Sequence, residues 1–387
     1  MKKVMNGLMA VLVLSALLAM MAYAIVNHQT ENGYENRPAV VMPAFSFSAA
    51  QSGDFQDALE SALHDQLPAS QLLESVYQNS TNALVLKALF AQSAARPNAY
   101  YQFNDLLLFH GDIVYAPVYP AEKLGELSAK AANLNRLFAA HPELSFYVFY
   151  IETDTDMDFE TGTPTGFGQT ALSMLWLPEA HMAVHEVGSF ADFRQNFFRT
   201  DHHWNRFGSY AGYVHLLELL DKSEPLTPTG TRHLADNFCG AKAITSGASA
   251  YFSEPFDVFD FDFPDMEVTV NGKYGGYGRQ GMEWDAEEFG TVSYGGYYGF
   301  DCGEVAFHTG NTGAGNILVL GESFDNAIVA LLATHFENLY SVDLRAYEED
   351  MGEPFRFSDY VAAHDIDTVL FIGNIDFFLF DSFDVEG

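Results

Sequence analysis

The chain has 387 residues, of which 48% are hydrophobic and 15% aromatic, so it can bury a large core and is not a disordered chain. Its 52 acidic residues outnumber 18 basic ones, which gives a formal net charge of −34. A field of that sign repels nucleic acid, so we expect no nucleic-acid partner. The length allows one large domain or two ordinary ones.

The N-terminus combines a positive end with a long apolar run. Met1–Lys3 precedes an uncharged segment from about Gly7 to Val26, which is long enough to span a bilayer. Ala22–Ala24 also fits a signal-peptidase site, so residues 1–26 are predicted to be a signal anchor, with a cleaved signal peptide as the alternative. Residues 27–50 are predicted to form a polar stalk. Both alternatives place the rest of the chain outside the cytoplasm, either anchored to the cell membrane or secreted.

The next part of the chain predicts helices followed by a buried strand. Asp54–Leu63 has helical spacing, Leu84–Ala94 is apolar, and Asp112–Tyr115 resembles a short strand. Ala121–Ala140 is predicted to be an amphipathic helix. Ser145–Ile151 is almost continuously apolar, as expected for a strand buried on both faces. A helix followed by a buried strand favours a parallel α/β sheet.

The residue composition changes in the middle of the chain. Ala180–Phe198 is predicted to be helical, and Asn205 is predicted to cap a helix that runs to about Leu220. From about 225 to 315 the sequence is rich in Gly, Tyr and alternating Phe and Asp, which predicts a β-rich insertion. Within it, Tyr294–Gly299 is predicted to be a flexible aromatic loop.

The last part returns to alternating strands and helices. Strands are predicted over Ile317–Leu320, Leu339–Leu344 and Thr368–Ile372, with helices over Asn326–Phe336 and Phe357–Ala363 between them. In such a βαβαβ unit the loops at the carboxyl ends of the strands form the ligand crevice. The predicted fold class is therefore α/β, with a parallel sheet covered by helices on both faces.

Ser323 is the candidate nucleophile. It lies in Gly321–Phe324, where an apolar strand turns into the next predicted helix. Backbone N–H groups at such a turn can hold an oxyanion and orient the serine. The segment is not the G-x-S-x-G elbow of α/β-hydrolases, since Asp325 stands where the second glycine belongs. The alternative is that Ser323 only caps the helix.

Asp201 and His203 could supply the partners of that serine. They are two residues apart, so an extended segment would point both side chains to the same face. A carboxylate beside an imidazole fixes its tautomer and stabilises the imidazolium that forms when a serine loses its proton. One alternative is a polar cap before Asn205. Another is a metal site that also uses His202, although adjacent histidines rarely ligate one ion.

Other patterns for metals and disulfides are weak. His181 and His185 have zinc-like i,i+4 spacing, but the glutamate that an HExxH motif requires after the first histidine is missing. The acidic run Asp154–Asp158 leaves a calcium-decorated surface open, without EF-hand spacing. Cys239 and Cys302 could pair or stay unpaired and form no CxxC motif. We predict no metal ion and no cofactor.

The two chemical motifs, in this order, resemble a known family. Thr200–Trp204 followed by Gly208, and later Leu320–Phe324, are similar to the DHHW family of bacterial surface proteins. That family belongs with the SGNH hydrolase-like proteins related to the alginate O-acetyltransferases. The resemblance covers most of the chain after the stalk, so it implies that residues 51–387 form an SGNH-like, flavodoxin-like α/β domain that carries the insertion.

The resemblance implies particular site residues. In the acetyltransferase relatives the Asp and His of the D-x-H-W segment and the Ser of the G-D-S segment form a triad, which here gives Asp201, His203 and Ser323. Glu322 replaces the usual Asp of G-D-S, which keeps the charge but lengthens the side chain. The second oxyanion donor of SGNH enzymes is a loop asparagine, for which Asn374 is the best match.

The implied function is an extracytoplasmic esterase or O-acetyltransferase acting on acyl groups of a cell-surface or exopolysaccharide glycan. The N–H groups of Ser323 with Gly373 or Asn374 would hold the oxyanion, and Trp204 and Tyr297 are candidates to contact the substrate. The alternative is a non-catalytic glycan-binding or structural surface protein on the same scaffold. A gap beyond about 5 Å between the serine hydroxyl and the imidazole would favour that alternative.

Overall fold

The computed structural model describes residues 44–66, 68–222, 224–276 and 292–379, together with a few isolated positions before residue 44. Most of the predicted anchor and half of the predicted stalk therefore lie outside the described residues. Within the described ranges, no helix is both long enough and apolar enough to cross a bilayer.

The chain divides into two compact units. One comprises Met1–Ala88 and Ala243–Tyr251, and the other comprises Leu89–Lys242 and Phe252–Gly387. The second unit contains all of the predicted catalytic and oxyanion-binding residues.

Three helices lie near the start of the described ranges. The first three are α1 (Phe47–Ser52), α2 (Asp54–Gln66) and α3 (Pro68–Ala95). The hydroxyl of Ser46 accepts a hydrogen bond from the third residue of α1 and caps its N-terminus. Gly53 ends α1 with φ of 97°, a left-handed conformation that glycine adopts without steric cost.

Short strands and helices alternate along the rest of the described chain. The remaining helices are α4 (Leu124–Ala140), α5 (Phe167–Ser173), α6 (Phe190–Asn196), α7 (Arg206–Leu219), α8 (Ala241–Thr245), α9 (Tyr294–Tyr298), α10 (Val329–Ala333), α11 (Tyr347–Met351), α12 (Phe357–Ala363) and α13 (Ile375–Leu379). The strands are β1 (Glu31–Asn32), β2 (Arg37–Pro38), β3 (Tyr101–Phe103), β4 (Leu106–Phe109), β5 (Asp112–Val114), β6 (Ser145–Ile151), β7 (Met157–Asp158), β8 (Thr163–Pro164), β9 (Met182–His185), β10 (Gly230–Phe238), β11 (Glu254–Asp260), β12 (Glu267–Val270), β13 (Lys273–Gly276), β14 (Glu304–His308), β15 (Asn316–Leu320), β16 (Asn338–Val342) and β17 (Thr368–Gly373).

A mixed sheet forms the centre of the second unit. Among the described residues it has eight strands, in the order β13-β12-β14-β16-β15-β17-β6-β9. Strands β16, β15, β17, β6 and β9 are mutually parallel, whereas β14, β12 and β13 extend the sheet antiparallel. Counted from β15, the parallel strands lie in the order 2-1-3-4-5, the order of a doubly wound sheet. Because β6 and β9 precede β15 in the chain, this order is circularly permuted here.

Alternate residues of the central strands pack on opposite faces of the sheet. In β15, Ile317 and Val319 join the apolar cluster that contains α7 and α10. Leu318 and Leu320 join the cluster on the other face, which contains α4 and α12. Both faces are therefore covered, which explains the nearly continuous apolar sequence of these strands. The predicted α/β sheet with helices on both faces is confirmed.

The segment Ala180–Phe198 differs from its predicted single helix. It contains a 3-10 helix at Glu179–His181, the strand β9 and the helix α6. The backbone of β9 pairs in parallel with Val148–Ile151 of β6, so its hydrogen bonds go to the sheet rather than to a helix. His181 and His185 therefore do not lie on one helix, so their zinc-like i,i+4 spacing does not place them on one helical face.

The region 225–315 contributes strands β10 to β14. Among the described strands, β10 and β11 pair with each other, whereas β12 and β14 join the central sheet. Tyr294–Gly299 is not the predicted flexible loop, because Tyr294–Tyr298 forms the short buried helix α9, capped by the Ser293 hydroxyl. Burial of three large tyrosine rings orders this segment despite its glycines. Cys239 and Cys302, both in this region, are not joined by a disulfide.

Candidate active site

The Asp201 segment is the tip of a tight loop before α7. Phe197 and Trp204 form an antiparallel bridge, and the Phe198 N–H donates to the His203 carbonyl, so the loop folds back on itself. Asp201 Oδ1 accepts from the His203 N–H at 3.1 Å, as in an Asx turn. The segment is therefore a turn and not an extended segment, and the turn itself brings the two side chains together.

Asp201, His203 and Ser323 lie in one hydrogen-bonded chain. His203 Nδ1 is 2.6 Å from Asp201 Oδ1, and His203 Nε2 is 2.7 Å from Ser323 Oγ. Both distances are within direct hydrogen-bonding range. With Nδ1–H donating to the carboxylate, Nε2 is the nitrogen that can accept the serine proton.

Asp201 is a buried carboxylate held in place by backbone. Its Oδ2 accepts from the Ala241 N–H at 2.9 Å, and only 3% of the residue is exposed. Burial alone would raise the pKa of Asp201, but attraction to His203 and His202, with hydrogen bonds from His203 and Ala241, lowers it well below its usual range. Asp201 therefore stays ionised and holds the imidazole in one tautomer.

The segment between β10 and α8 supports Asp201, a role that the sequence did not reveal. A Cβ at Gly240 would overlap Asp201, lying 2.8 Å from its Cα. The Gly240 N–H donates to Thr200 Oγ1 at 3.0 Å, and the Thr200 hydroxyl donates to Glu254 Oε1 at 2.8 Å. Gly240 carries no motif of its own, so only the folded contact identifies its role.

Ser323 lies in a turn after β15. The predicted helix Asn326–Phe336 is instead a 3-10 helix at Asp325–Ala327 followed by the short α10. The residue at the N-cap of the 3-10 helix is Phe324, and no side chain caps it. Ser323 is therefore not a helix cap, and its hydroxyl faces the imidazole instead.

Glu322 and Asn374 close the crevice between the carboxyl ends of β15 and β17, where the permuted strand order reverses. Glu322 Oε1 accepts from the Asn374 N–H at 3.3 Å, so that backbone group is already engaged. Asn374 Oδ1 accepts from the Asp376 N–H at 2.8 Å, which orients the amide. Within the described ranges, neither the Asn374 Nδ2 nor the Ser323 N–H has an acceptor, so both remain available as hydrogen-bond donors.

Glu322 is a buried carboxyl group that directly precedes Ser323 in the chain. Burial raises the pKa of Glu322 to about 8, although Arg345 and the Asn374 N–H oppose the shift, and Asp376 and Asp343 add to it. At neutral pH the carboxyl group is therefore mostly protonated. Its longer side chain, compared with aspartate, spans the crevice and ties the Ser323 turn to Asn374.

Three other predicted site residues are packed in the interior. Trp204 is fully buried, and its Nε1–H donates to the Phe324 carbonyl at 3.0 Å. Tyr297 is 2% exposed. Neither ring, as placed, presents a face to a substrate, so both have packing roles in place of the predicted contacts. At Gly373 a Cβ would overlap the Phe377 side chain, so the glycine is required for close packing.

Tyr294 is a site residue that the sequence did not identify. Its ring stacks on the His203 imidazole with centroids 3.8 Å apart and planes inclined by 2°. Its hydroxyl donates to the Ser323 carbonyl at 3.2 Å. The tyrosine-rich run attracted attention in the sequence, but nothing in its pattern distinguishes Tyr294 from Tyr297 or Tyr298.

The same loop also contains a potential metal-binding group. Asp201, His202 and His203 offer ligand atoms within 4.8 Å of one another, the one such group found among the described residues. Both ring nitrogens of His203 are engaged, however, Nδ1 by Asp201 and Nε2 by Ser323. A metal ion would have to displace one of these hydrogen bonds, so the arrangement favours proton transfer over metal binding.

No protein-family model and no curated protein matches this sequence. Solved structures do match. A DHHW family protein from Eubacterium siraeum aligns with a TM-score of 0.56 and 16% identity, covering 74% of this chain and 96% of that chain. The present chain shares its fold with a DHHW family protein. PatB1 from Bacillus cereus, solved with a sulfonyl adduct, aligns with a TM-score of 0.52 and 18% identity over 73% of this chain and 97% of that one. The likeness to DHHW proteins seen in the motifs is thus confirmed for the fold.

Proposed function

We propose that this protein is an extracytoplasmic SGNH-like serine esterase or O-acetyltransferase acting on acyl groups of a cell-surface or exopolysaccharide glycan. The observation that carries the proposal is the hydrogen-bonded chain from Asp201 through His203 to Ser323, with distances of 2.6 and 2.7 Å. Those distances permit direct proton transfer. The likeness to the DHHW protein and to PatB1 supports the SGNH-like scaffold. The apolar N-terminal sequence supports the location.

The first half of the reaction acylates the enzyme. Ser323 Oγ attacks the acyl carbonyl carbon while its proton passes to His203 Nε2. The carbonyl oxygen becomes an oxyanion, held by the Ser323 N–H and the Asn374 side-chain amide. Asp201 stabilises the imidazolium. When the tetrahedral intermediate collapses, the alcohol oxygen of the donor ester leaves with the proton from Nε2, and the acyl group remains on Ser323.

The second half transfers the acyl group to a hydroxyl acceptor. The acceptor gives its proton to His203 Nε2 and attacks the acyl carbon, after which the Ser323 oxygen leaves and recovers that proton. The acceptor is water in an esterase and a sugar hydroxyl in a transferase. The two activities use the same residues of this chain and differ only in which acceptor reaches the acyl-serine.

Serine-directed chemistry tests the proposal. We expect the purified protein to hydrolyse a nitrophenyl acetate ester and to bind one sulfonyl group per chain from a sulfonyl fluoride, as measured by mass spectrometry. Ser323→Ala should lose turnover by roughly a thousandfold or more and take up no label. Ser173→Ala, which changes an exposed serine at the end of α5, serves as the matched control and should behave as the wild type. A wild-type protein that shows neither turnover nor labelling would exclude the proposed enzyme.

The acceptor is identified in a separate assay. In the presence of an acetyl-ester donor, a neutral oligosaccharide should speed donor consumption and yield an acetylated sugar if the protein is a transferase. A rate that does not change with the oligosaccharide, with acetate as the only product, identifies an esterase.

A further inference from the structure

Both faces of the His203 imidazole are covered by other rings. Tyr294 stacks with centroids 3.8 Å apart, and the His202 ring lies 3.9 Å away at 37°. At these distances each ring must lie over a face rather than beside an edge, and two rings cannot occupy one face. Tyr294 and His202 therefore cover opposite faces, which leaves His203 only 6% exposed. The remaining approach is in the ring plane at Nε2, where Ser323 lies.

Tyr294 is itself firmly held. It is 5% exposed, its ring is 4.8 Å from that of Tyr298, and the helix carrying it is capped by a hydrogen bond from the Gly296 N–H to the Ser293 hydroxyl. Burial raises the pKa of Tyr294 well above its usual value, so the hydroxyl stays protonated and donates to the Ser323 carbonyl. One fixed side chain thus contacts the ring of the base and the backbone of the nucleophile.

We infer that Tyr294 is a positioning residue for acyl transfer, with its ring face stabilising the imidazolium form of His203 and its hydroxyl fixing the turn that carries Ser323. The inference rests on the proposed function. A cation over an aromatic face is attracted by the ring quadrupole, and more strongly where water is excluded. The imidazolium forms only as the serine proton moves, so this attraction favours the transition state over the ground state.

The other groups that face the imidazole do not duplicate this role. Asp201 is ionised and binds Nδ1, and Ser323 binds Nε2. On the opposite face, partial burial and the adjacent His203 lower the pKa of His202 below its usual range, so His202 is neutral and adds no competing positive charge. The Phe324 ring lies 5.0 Å from the imidazole but is tilted by 50°, whereas the Tyr294 ring lies flat against it. Tyr294 therefore offers the stacked aromatic face to the cation.

Two substitutions separate the ring from the hydroxyl. Tyr294→Leu keeps an apolar cover but removes the aromatic face. We expect kcat to fall about tenfold with little change in KM, and the acidic limb of the pH profile of kcat/KM to move to lower pH by about one unit, because the imidazolium loses stabilisation. Tyr294→Phe keeps the ring, so it should retain the wild-type pH profile and lose only about threefold in kcat.

Tyr213 provides the matched control. It is a fully buried tyrosine of α7 whose hydroxyl accepts from the Leu226 N–H at 3.0 Å, and within the described ranges its ring contacts Tyr210 and His335 rather than His203 or Tyr294. Tyr213→Leu should lower the melting temperature about as much as Tyr294→Leu does and leave the pH profile unchanged. Equal losses of kcat in the two leucine variants, with neither pH profile shifted, would show that Tyr294 only packs and would overturn the inference.

A second measurement does not depend on turnover. NMR of isotope-labelled histidine, assigned with His203→Gln, follows the pH midpoint of the His203 resonances. We expect Tyr294→Leu to lower that midpoint by about one pH unit and Tyr213→Leu to leave it unchanged. If the wild type lacks both turnover and labelling, the proposed function fails and this midpoint still decides the effect of Tyr294. If the wild type is active and the midpoint does not move, only the Tyr294 inference fails.

Discussion

Glu322 links the chemistry of the site to the stability of the fold. Burial raises its pKa from 4.5 to about 8. Between those two pH values the unfolded chain releases a proton that the folded chain keeps. Protonated Glu322 therefore makes its full contribution to the free energy of unfolding below about pH 4.5, and that contribution is lost as the pH rises through about 8. Glu322 makes the protein less stable in mildly alkaline solution.

Glu322→Gln isolates this effect, because glutamine keeps a carbonyl oxygen for the Asn374 N–H but does not ionise. We expect the free energy of unfolding of the wild type to fall more than that of the variant between about pH 5 and about pH 8, by on the order of a few kcal/mol. Urea titrations followed by tryptophan fluorescence measure the difference.

Asp156→Asn is a suitable control for that experiment, because burial raises the pKa of Asp156 to about 7 and its hydrogen bonds go to Tyr150 and Thr153. In this variant, the free energy of unfolding should lose the part of its pH dependence that comes from Asp156 and keep the part that comes from Glu322. Identical declines for the wild type and Glu322→Gln would contradict the assignment to Glu322.

The sequence predicted those candidate site residues that belong to local motifs and missed those whose contacts arise only on folding. Asp201 and His203 stand two positions apart, and Ser323 follows an apolar strand, so each could be recognised from its neighbours. Tyr294 acts through a stacking contact, and Ala241 through its backbone N–H. Neither interaction leaves a pattern in the residues around it.

At the scale of secondary structure, the segment from β10 to α8 determines where Asp201 sits. Gly240→Ala would place a Cβ against that carboxylate and force the loop to move. We expect kcat to fall about a hundredfold, with a loss of about 1 to 3 kcal/mol in the free energy of unfolding. Ester turnover and urea denaturation test both values.

Gly125→Ala is the comparison for that variant. Gly125 lies exposed in α4, and a Cβ there would meet nothing within 4 Å. Alanine in a helix is more favourable than glycine by up to about 1 kcal/mol, so this variant should be fully active and slightly more stable. A fully active Gly240→Ala would show that the loop tolerates the displacement.

Elements with strong apolar patterns were predictable, and elements decided by tertiary contacts were not. The strand over Ser145–Ile151 and the helix over Phe357–Ala363 match the structure in both bounds. Ala180–Phe198 has helical character, but pairing with β6 draws four of its residues into a strand. Tyr294–Gly299 looks flexible because of its glycines, yet burial of its rings makes it helical.

For the whole molecule, the net charge of −34 predicts a response to salt. Like charges repel one another in the compact state, and added salt screens that repulsion. We expect the melting temperature at pH 8 to rise by a few degrees between about 20 and about 300 mM sodium chloride. Near the sequence pI of about 4.4 the effect should disappear, which provides an internal control. An equal rise at both pH values would contradict an origin in net charge.

The permuted sheet could be predicted only in part. The βαβαβ pattern at the end of the chain predicted β15, β16 and β17, and β15 pairs in parallel with each of the other two. The pairing of Ser145 with Thr368, which joins β6 to β17, was not predictable, because no local pattern marks partners so far apart. The sequence therefore indicates the class of the sheet but not the order of its strands.

That pairing constrains how the protein is made. A chain synthesised from its N-terminus completes β6 and β9 long before β17, yet β17 lies between β6 and β15. Until it arrives, both of its neighbours carry an open backbone edge that another chain could pair with. Asn374 directly follows β17, so an interrupted chain also lacks this proposed oxyanion donor. Formation of β17 thus covers the open sheet edges and also completes the proposed reaction centre. Chains released before β17 is synthesised would therefore be inactive.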